Sequence, residues 1–201
     1  MWLSMPPKYA QKRTSFDYFR TMSGVSEGDV LWYVMRVTYQ RELQAYDILR
    51  RLNIESYVPL VKVRRRKSNG VFYWREESAI HNYIFIHTSL KELKRLKKDV
   101  IPFMRYMMAS DGEGNMYPQY VEQKQMEDFI LISKSAQAKY LSHDIDLKAG
   151  DRVRILVGEF QGVEGVFTKI SKKHEKRVVV KIEGIAAVAT KEYSWEDVER
   201  V

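Results

Sequence analysis

The 201-residue sequence predicts an α+β protein in two parts. A split β-α-β antiparallel sheet carrying helices is expected over residues 31–133, and a small β-barrel over residues 149–201. Two observations predict this. Between residues 31 and 133 the apolar pattern alternates between strand-like runs and a helical repeat, in the order β-α-β-β-α-β-α. From residue 149 no helical period fits, and short β-rich runs separated by glycines continue to the end. Residues 1–30 contain Pro6-Pro7 and a Ser/Gly/Glu-rich run from Ser23 to Asp29, and read as a flexible or loosely docked extension. The mostly polar residues 134–148 read as a linker.

Leu31 to Val37 is apolar and rich in aromatic and β-branched residues, which predicts a strand. Ala45, Ile48, Leu49 and Leu52 recur at helical spacing and predict a helix from about Gln40 to Leu52. Ile54 to Val63 returns as a strand. The run Arg64-Arg65-Arg66-Lys67, then Asn69-Gly70, then Val71 to Trp74 predicts a hairpin with a basic tip. Asn-Gly is the pair that tolerates the positive φ of a type I′ turn. Ile80 to His87 reads as a buried strand. Ser89 and Glu92 have capping-box spacing, which opens a helix through Lys98 with Leu93, Leu96 and Val100 inward. Phe103 to Met108 is a further strand. Glu122 to Ser133 is a third helix, with Met126, Phe129, Ile130 and Ser133 on one face.

The net charge is +8, and most of it lies in residues 31–133, with 17 basic residues against 12 acidic. Residues 149–201 carry 10 against 9. If the chain meets nucleic acid, the middle segment is therefore the better candidate, because phosphate contact dominates such binding. A modest basic excess also suits a plain solvated surface. The absence of cysteine excludes disulfides and thiolate metal sites. No apolar run approaches the roughly 20 residues that span a bilayer. A cytoplasmic, monomeric protein is expected. His81, His87, His143 and His174 are scattered, and none sits at metal-ligand spacing with an acidic partner. With no phosphate-binding loop, nucleophile elbow or paired-carboxylate motif, the sequence predicts a binding protein, not an enzyme, with no cofactor.

The run Gly150-Asp151-Arg152-Val153-Arg154-Ile155, then Gly158-Glu159-Phe160-Gln161-Gly162, then Gly165-Val166, resembles the KOW motif of SH3-like barrels. Alternation would point Val153, Ile155 and Val157 inward and Arg152 and Arg154 outward. Gly158 and Gly162 sit where a tight turn needs positive φ, and Gly165 where a side chain would obstruct a neighbouring backbone. Trp195 to Glu199 reads as the closing strand.

Residues 31–133 resemble the NusG N-terminal domain. Trp32-Tyr33-Val34 opens its first strand, Asn82-Tyr83-Ile84-Phe85-Ile86 is similar to its Pro-Gly-Tyr-Val-Phe-Val core strand, and Val100 to Tyr106 to its Phe-Arg-aromatic segment. Pro118 to Phe129 is similar to its closing loop and helix. The resemblance implies a transcription elongation or antitermination factor that binds the clamp helices of the large subunit of RNA polymerase. It implies a polymerase-binding pocket formed by Ile80, Tyr83, Phe85 and Phe103, although core roles compete, most strongly for Phe85. The physical logic is an apolar groove with aromatic anchors receiving partner helices. Arg36, Thr38, Tyr39 and Arg41 lie where the family reads DNA bases. Arg64, Arg65, Arg66 and Lys67 are candidates for phosphates of non-template or upstream DNA, against the alternative of a charged loop that resists aggregation.

Two departures from the family pattern stand out. His81-Asn82 replaces the usual Pro-Gly, as in specialised paralogues such as RfaH and the antiterminators of capsular-polysaccharide operons. On the KOW surface Phe160 matches an aromatic contact, but Val163 replaces the next and Glu183-Gly184-Ile185 a later Phe-Gly-Arg. This disfavours Rho as the partner at Phe160 and Val163 and leaves a small-subunit ribosomal protein as a candidate. The competing reading is a ribosome- or RNA-associated KOW protein, which the near-neutral barrel disfavours.

Overall fold

The computed structural model describes residues 26–111, 113–141, 150–169 and 176–201. Most of the expected N-terminal extension, residues 142–148 of the expected linker and residue 149 lie outside the described residues.

The first domain opens with β1 (Val30–Val37), followed by α1 (Glu42–Arg51). The expected strand over 54–63 is divided into β2 (Ser56–Tyr57) and β3 (Leu60–Arg66). Pro59 lies at the break, where it cannot donate to a ladder. Next come β4 (Phe72–Ser78) and β5 (Tyr83–Ser89). The helix α2 (Leu90–Arg95) continues into a wider turn, Leu96–Val100. Four short strands follow: β6 (Met104–Tyr106), β7 (Met108–Ser110), β8 (Met116–Pro118) and β9 (Tyr120–Val121). The domain ends with α3 (Gln123–Ser133).

β1 is the centre of the main sheet, in the order β2-β5-β1-β6, with β9 also paired to β1. Every pairing is antiparallel. The period of two along β5 sends Ile84 and Ile86 to one face and Phe85 to the other. Ile84 and Ile86 join Tyr33, Met35, Ala45, Leu49, Leu93 and Leu96 in a core beneath α1 and α2. Phe85 joins Trp32, Val34, Met126, Phe129 and Ile132 in a second core beneath α3. Ser89 caps α2 by accepting the Glu92 N–H at 3.2 Å. The reciprocal half of the expected capping box is absent, because the Glu92 carboxylate takes both Arg95 nitrogens at 2.9 and 2.6 Å.

The second domain begins earlier than its sequence suggests. Lys139–Leu141 of the expected linker form β10, which pairs with β14 (Ala186–Glu192). The half-buried Tyr140 anchors it by donating to the Ser133 carbonyl at 3.2 Å. The remaining strands are β11 (Asp151–Ile155), β12 (Glu164–Lys169), β13 (Lys176–Ile182) and β15 (Val198–Arg200). The sheet runs β10-β14-β13-β12-β11-β15. Val153 and Ile155 are buried as expected. Val157 is not: it is 46% exposed, because β11 ends at Ile155 and the chain turns through Gly158–Phe160. Gly158 and Gly162 take φ of +82° and +86°, as expected.

Candidate functional site

On β1 and β5, directly opposed residues share a face, so Arg36 lies beside Tyr83, Val34 beside Phe85 and Trp32 beside His87. The Trp32 and His87 rings stack at 4.8 Å, and Trp32 Nε1 donates to Gln123 on α3 at 3.1 Å. Phe85 is fully buried with its ring 5.7 Å from Phe129, which gives it the core role. Tyr83 and Ile80 are half-buried against the same cluster, and Arg36 is exposed. The Ile80 carbonyl accepts the Ser78 hydroxyl at 2.7 Å, which fixes the entry into β5. Phe103 is not brought to this face. It packs with the opposite core, beneath the Arg41 guanidinium at 4.0 Å.

Thr38, Tyr39 and Arg41 form a strained turn between β1 and α1. Tyr39 and Gln40 both hold positive φ, at +59° and +52°. The turn is pinned from β5's side by Asn82, whose Oδ1 accepts the Gln40 N–H at 3.1 Å and whose carbonyl accepts the Val37 N–H at 2.8 Å. Asn82 itself sits at φ +68°, a conformation that glycine and asparagine enter most readily. The Asn-for-Gly departure thus keeps the backbone and adds a side-chain bond. Arg41 is committed locally, donating to the Thr38 carbonyl and hydroxyl at 3.1 and 2.9 Å. Tyr39 is 87% exposed, so it and Arg36 are the outward-facing members of the set.

β3 and β4 form a separate two-stranded ribbon. Its turn is not type I′, since only Gly70 of the Asn-Gly pair has positive φ, +86°. Gly70 N–H donates to the Lys67 carbonyl at 2.9 Å, and Lys67 N–H to the Val71 carbonyl at 2.8 Å. This is a three-residue loop with glycine in the left-handed position. The register opposes Arg64 to Trp74, Arg65 to Tyr73 and Arg66 to Phe72. The four basic residues therefore divide. Arg65 forms a two-point pair with Glu77, at 2.8 and 2.5 Å. That pairing holds the Glu77 carboxyl below its ordinary range. Arg64 and Arg66 lie on the other face, 4.2 and 5.7 Å from the Phe72 ring centre, while Lys67 approaches Tyr73 at 5.6 Å.

The β10–β15 sheet is seated on α3. Asp128, only 5% exposed, accepts the Glu164 backbone N–H at 3.0 Å and the Lys124 ammonium at 2.5 Å. Lys124 also donates to the Gly162 carbonyl at 2.9 Å. Gln125 and Gln119 donate to the Lys181 and Glu183 carbonyls at 2.7 and 2.8 Å. Apolar packing is continuous from Phe85 and Phe129 to Val180 and Val188. Phe160 and Val163 are both buried here, and Val163 lies between the two backbone groups that α3 holds. Sequence reasoning missed Asp128, because Lys124 and Asp128 at i, i+4 look like an ordinary surface pair.

Among the described residues no cluster of three or more His, Asp or Glu is placed to hold a metal, and no helix is long and apolar enough to cross a membrane. The described residues thus combine a sheet with an aromatic-bearing face, an exposed basic ribbon and a second, six-stranded sheet packed on α3. Residues 31–130 match the family model described as transcription termination factor NusG. The match covers the first sheet and its helices and is to a family of transcription factors. A solved structure, "Domain interaction in Thermotoga maritima NusG", is similar over 88% of this chain and 99% of that one, at 16% identity and a TM-score of 0.43.

Proposed function

We propose that the chain is an elongation and antitermination factor that binds the clamp helices of RNA polymerase through the sheet face at Ile80 and Tyr83, with Phe85 as its buried support. The supporting observation is the pairing of a half-buried Tyr83 with an exposed Arg36 on one sheet face. An amphipathic ring beside a guanidinium suits a helical partner surface. Phe103 contributes from below, by holding Arg41 and the Thr38–Gln40 turn in place. Arg36 and Tyr39 on one side, and Arg64 and Arg66 on the ribbon, face non-template or upstream DNA.

The barrel recruits a further partner through the Phe160–Val163 segment once it leaves α3. A small-subunit ribosomal protein suits this role better than Rho, because Val163 and Ile185 are aliphatic. The His81-Asn82 pair, standing where the family has Pro-Gly, supports an operon-restricted role.

Reconstituted elongation with purified polymerase tests the proposal. The full chain shortens pauses, and Tyr83→Ala removes the effect while Phe103→Ala weakens it. Pause lifetimes unchanged by the full chain would overturn it.

A further inference from the structure

The ribbon carries a feature that phosphate contact alone does not require: large apolar rings standing in water. Trp74 is 69% exposed and Phe72 53% exposed. Both lie on one face of β3–β4, opposite Arg64 and Arg66, with Lys62 and Glu76 opposed one step further along. This face therefore interleaves two aromatic rings with three cations against one carboxylate. The other face is different in kind: Val61 and Val63 are half-buried, and Arg65 is paired with Glu77. The two most exposed rings of the ribbon thus share one face with Lys62, Arg64 and Arg66, while Tyr73, Arg65 and Arg75 lie on the other. Lys62, Trp74 and Glu76 of this face, with Arg75 from the other, line an open recess of about 490 Å³, within the size range of small-molecule sites.

We infer that this face is a stacking platform for unpaired bases, and that its ligand is single-stranded nucleic acid. The inference deepens the nucleic-acid role proposed above for the ribbon. A base inside a duplex has both faces covered by its neighbours, so an exposed ring finds a stacking surface only on an unpaired base. Strand rise sets Trp74 and Phe72 about 6.7 Å apart, so an unstacked strand running along the ribbon meets the two rings in succession. Arg64 supplies a planar cation at 4.2 Å from the Phe72 ring, which extends the platform between them. Lys62 and Arg66 supply charge for the backbone. Stacking does not depend on base identity, so the platform holds a strand without reading its sequence.

The test is fluorescence anisotropy with the full chain and end-labelled oligothymidine DNA, oligouridine RNA and a short DNA duplex, across a salt series. Trp74→Ala is expected to weaken single-strand binding about tenfold, with duplex binding and the salt slope unchanged, and Trp74→Phe to retain most of the affinity. Arg66→Gln is expected to weaken strand and duplex alike and to lower the single-strand salt slope by about 0.7. Binding of DNA and RNA alike supports a general platform. Preference for one identifies the strand concerned. Single-strand affinity unchanged in Trp74→Ala, or an equal loss on the duplex, overturns the stacking inference. Affinity and slope unchanged in Arg66→Gln would overturn the phosphate reading and leave the stacking result intact.

Discussion

Asp128→Ala should loosen the β10–β15 sheet from α3 without unfolding either one. The Asp128 carboxylate is buried, and its Oδ2 accepts the Glu164 N–H at 3.0 Å across the domain boundary. A hydrogen bond to a charged group contributes about 1.5–3 kcal/mol. Removing it also frees Lys124, whose ammonium bridges Asp128 and the Gly162 carbonyl. That second contact is half-exposed and contributes little. A net loss of about 2 kcal/mol shifts the docked-to-released ratio roughly 30-fold. Docking is weakened, not abolished, because the Gln119 and Gln125 bonds and the apolar packing persist. Asp128→Asn keeps an acceptor for the amide and should fall between the two. The chain has no cysteine, so spin labels at Asp47→Cys and Glu199→Cys report the interdomain distance directly. Wild type should give one narrow distribution, and Asp128→Ala a broad one. A narrow distribution unchanged in Asp128→Ala would refute the argument and leave docking to the Gln119 and Gln125 bonds and the apolar contacts.

Three further outcomes follow from particular residues. Gly165→Ala would place a Cβ 2.6 Å from the Val179 carbonyl oxygen, which belongs to backbone and cannot yield cheaply, so a loss of about 2–3 kcal/mol is expected in urea unfolding. Asn82→Ala should cost about 2 kcal/mol, from left-handed strain plus the lost Gln40 bond, whereas Asn82→Gly keeps the φ and should cost about 1; thermal unfolding of the pair separates the two causes. Burial pushes the Tyr33 and Tyr140 hydroxyls up from 10.0 to about 12, with nearby acidic groups adding at Tyr33 and Tyr57 at Tyr140. Both stay protonated in the folded chain after the unfolded chain has ionised, so stability is undiminished below pH 10 and falls as pH climbs through 12. Ultraviolet phenolate titration of native and urea-unfolded chain should differ by these late-titrating groups.

The first domain was legible where one periodicity dominated. Ala45 and Leu49 on α1, Leu93 and Leu96 beyond β5, and Met126 and Phe129 on α3 all lie in the core, because a single apolar stripe leaves one way to bury the helix. Gly158, Gly162 and Gly165 were legible because each answers a local steric demand. The turn at Asn69-Gly70 was misread. The dipeptide fits more than one hairpin loop, and the bond from the Asn69 side chain to the Val71 N–H helps select the longer one. Val157 was misread because alternation was carried past the end of β11.

The long-range pairings were the least legible. Nothing local marks Lys139–Leu141 as a strand, since its partner Ala187–Ala189 lies some fifty residues on. Likewise, the separation of Phe103 from Tyr83 depends on which face each strand turns inward. The division of the basic run into Arg65 on one side and Arg64 and Arg66 on the other follows from simple alternation. Which side faced water depended on Val61, Val63 and Glu77 turning toward the body.

Equilibrium binding of the labelled full chain to purified RNA polymerase tests the central claim most directly. Wild type should bind, Tyr83→Ala should bind about 30-fold more weakly as loss of an aromatic anchor predicts, and Trp74→Ala should bind polymerase alone as wild type does. A chain with no measurable affinity for polymerase, or a folded Tyr83→Ala variant that binds as tightly as wild type, would contradict the account.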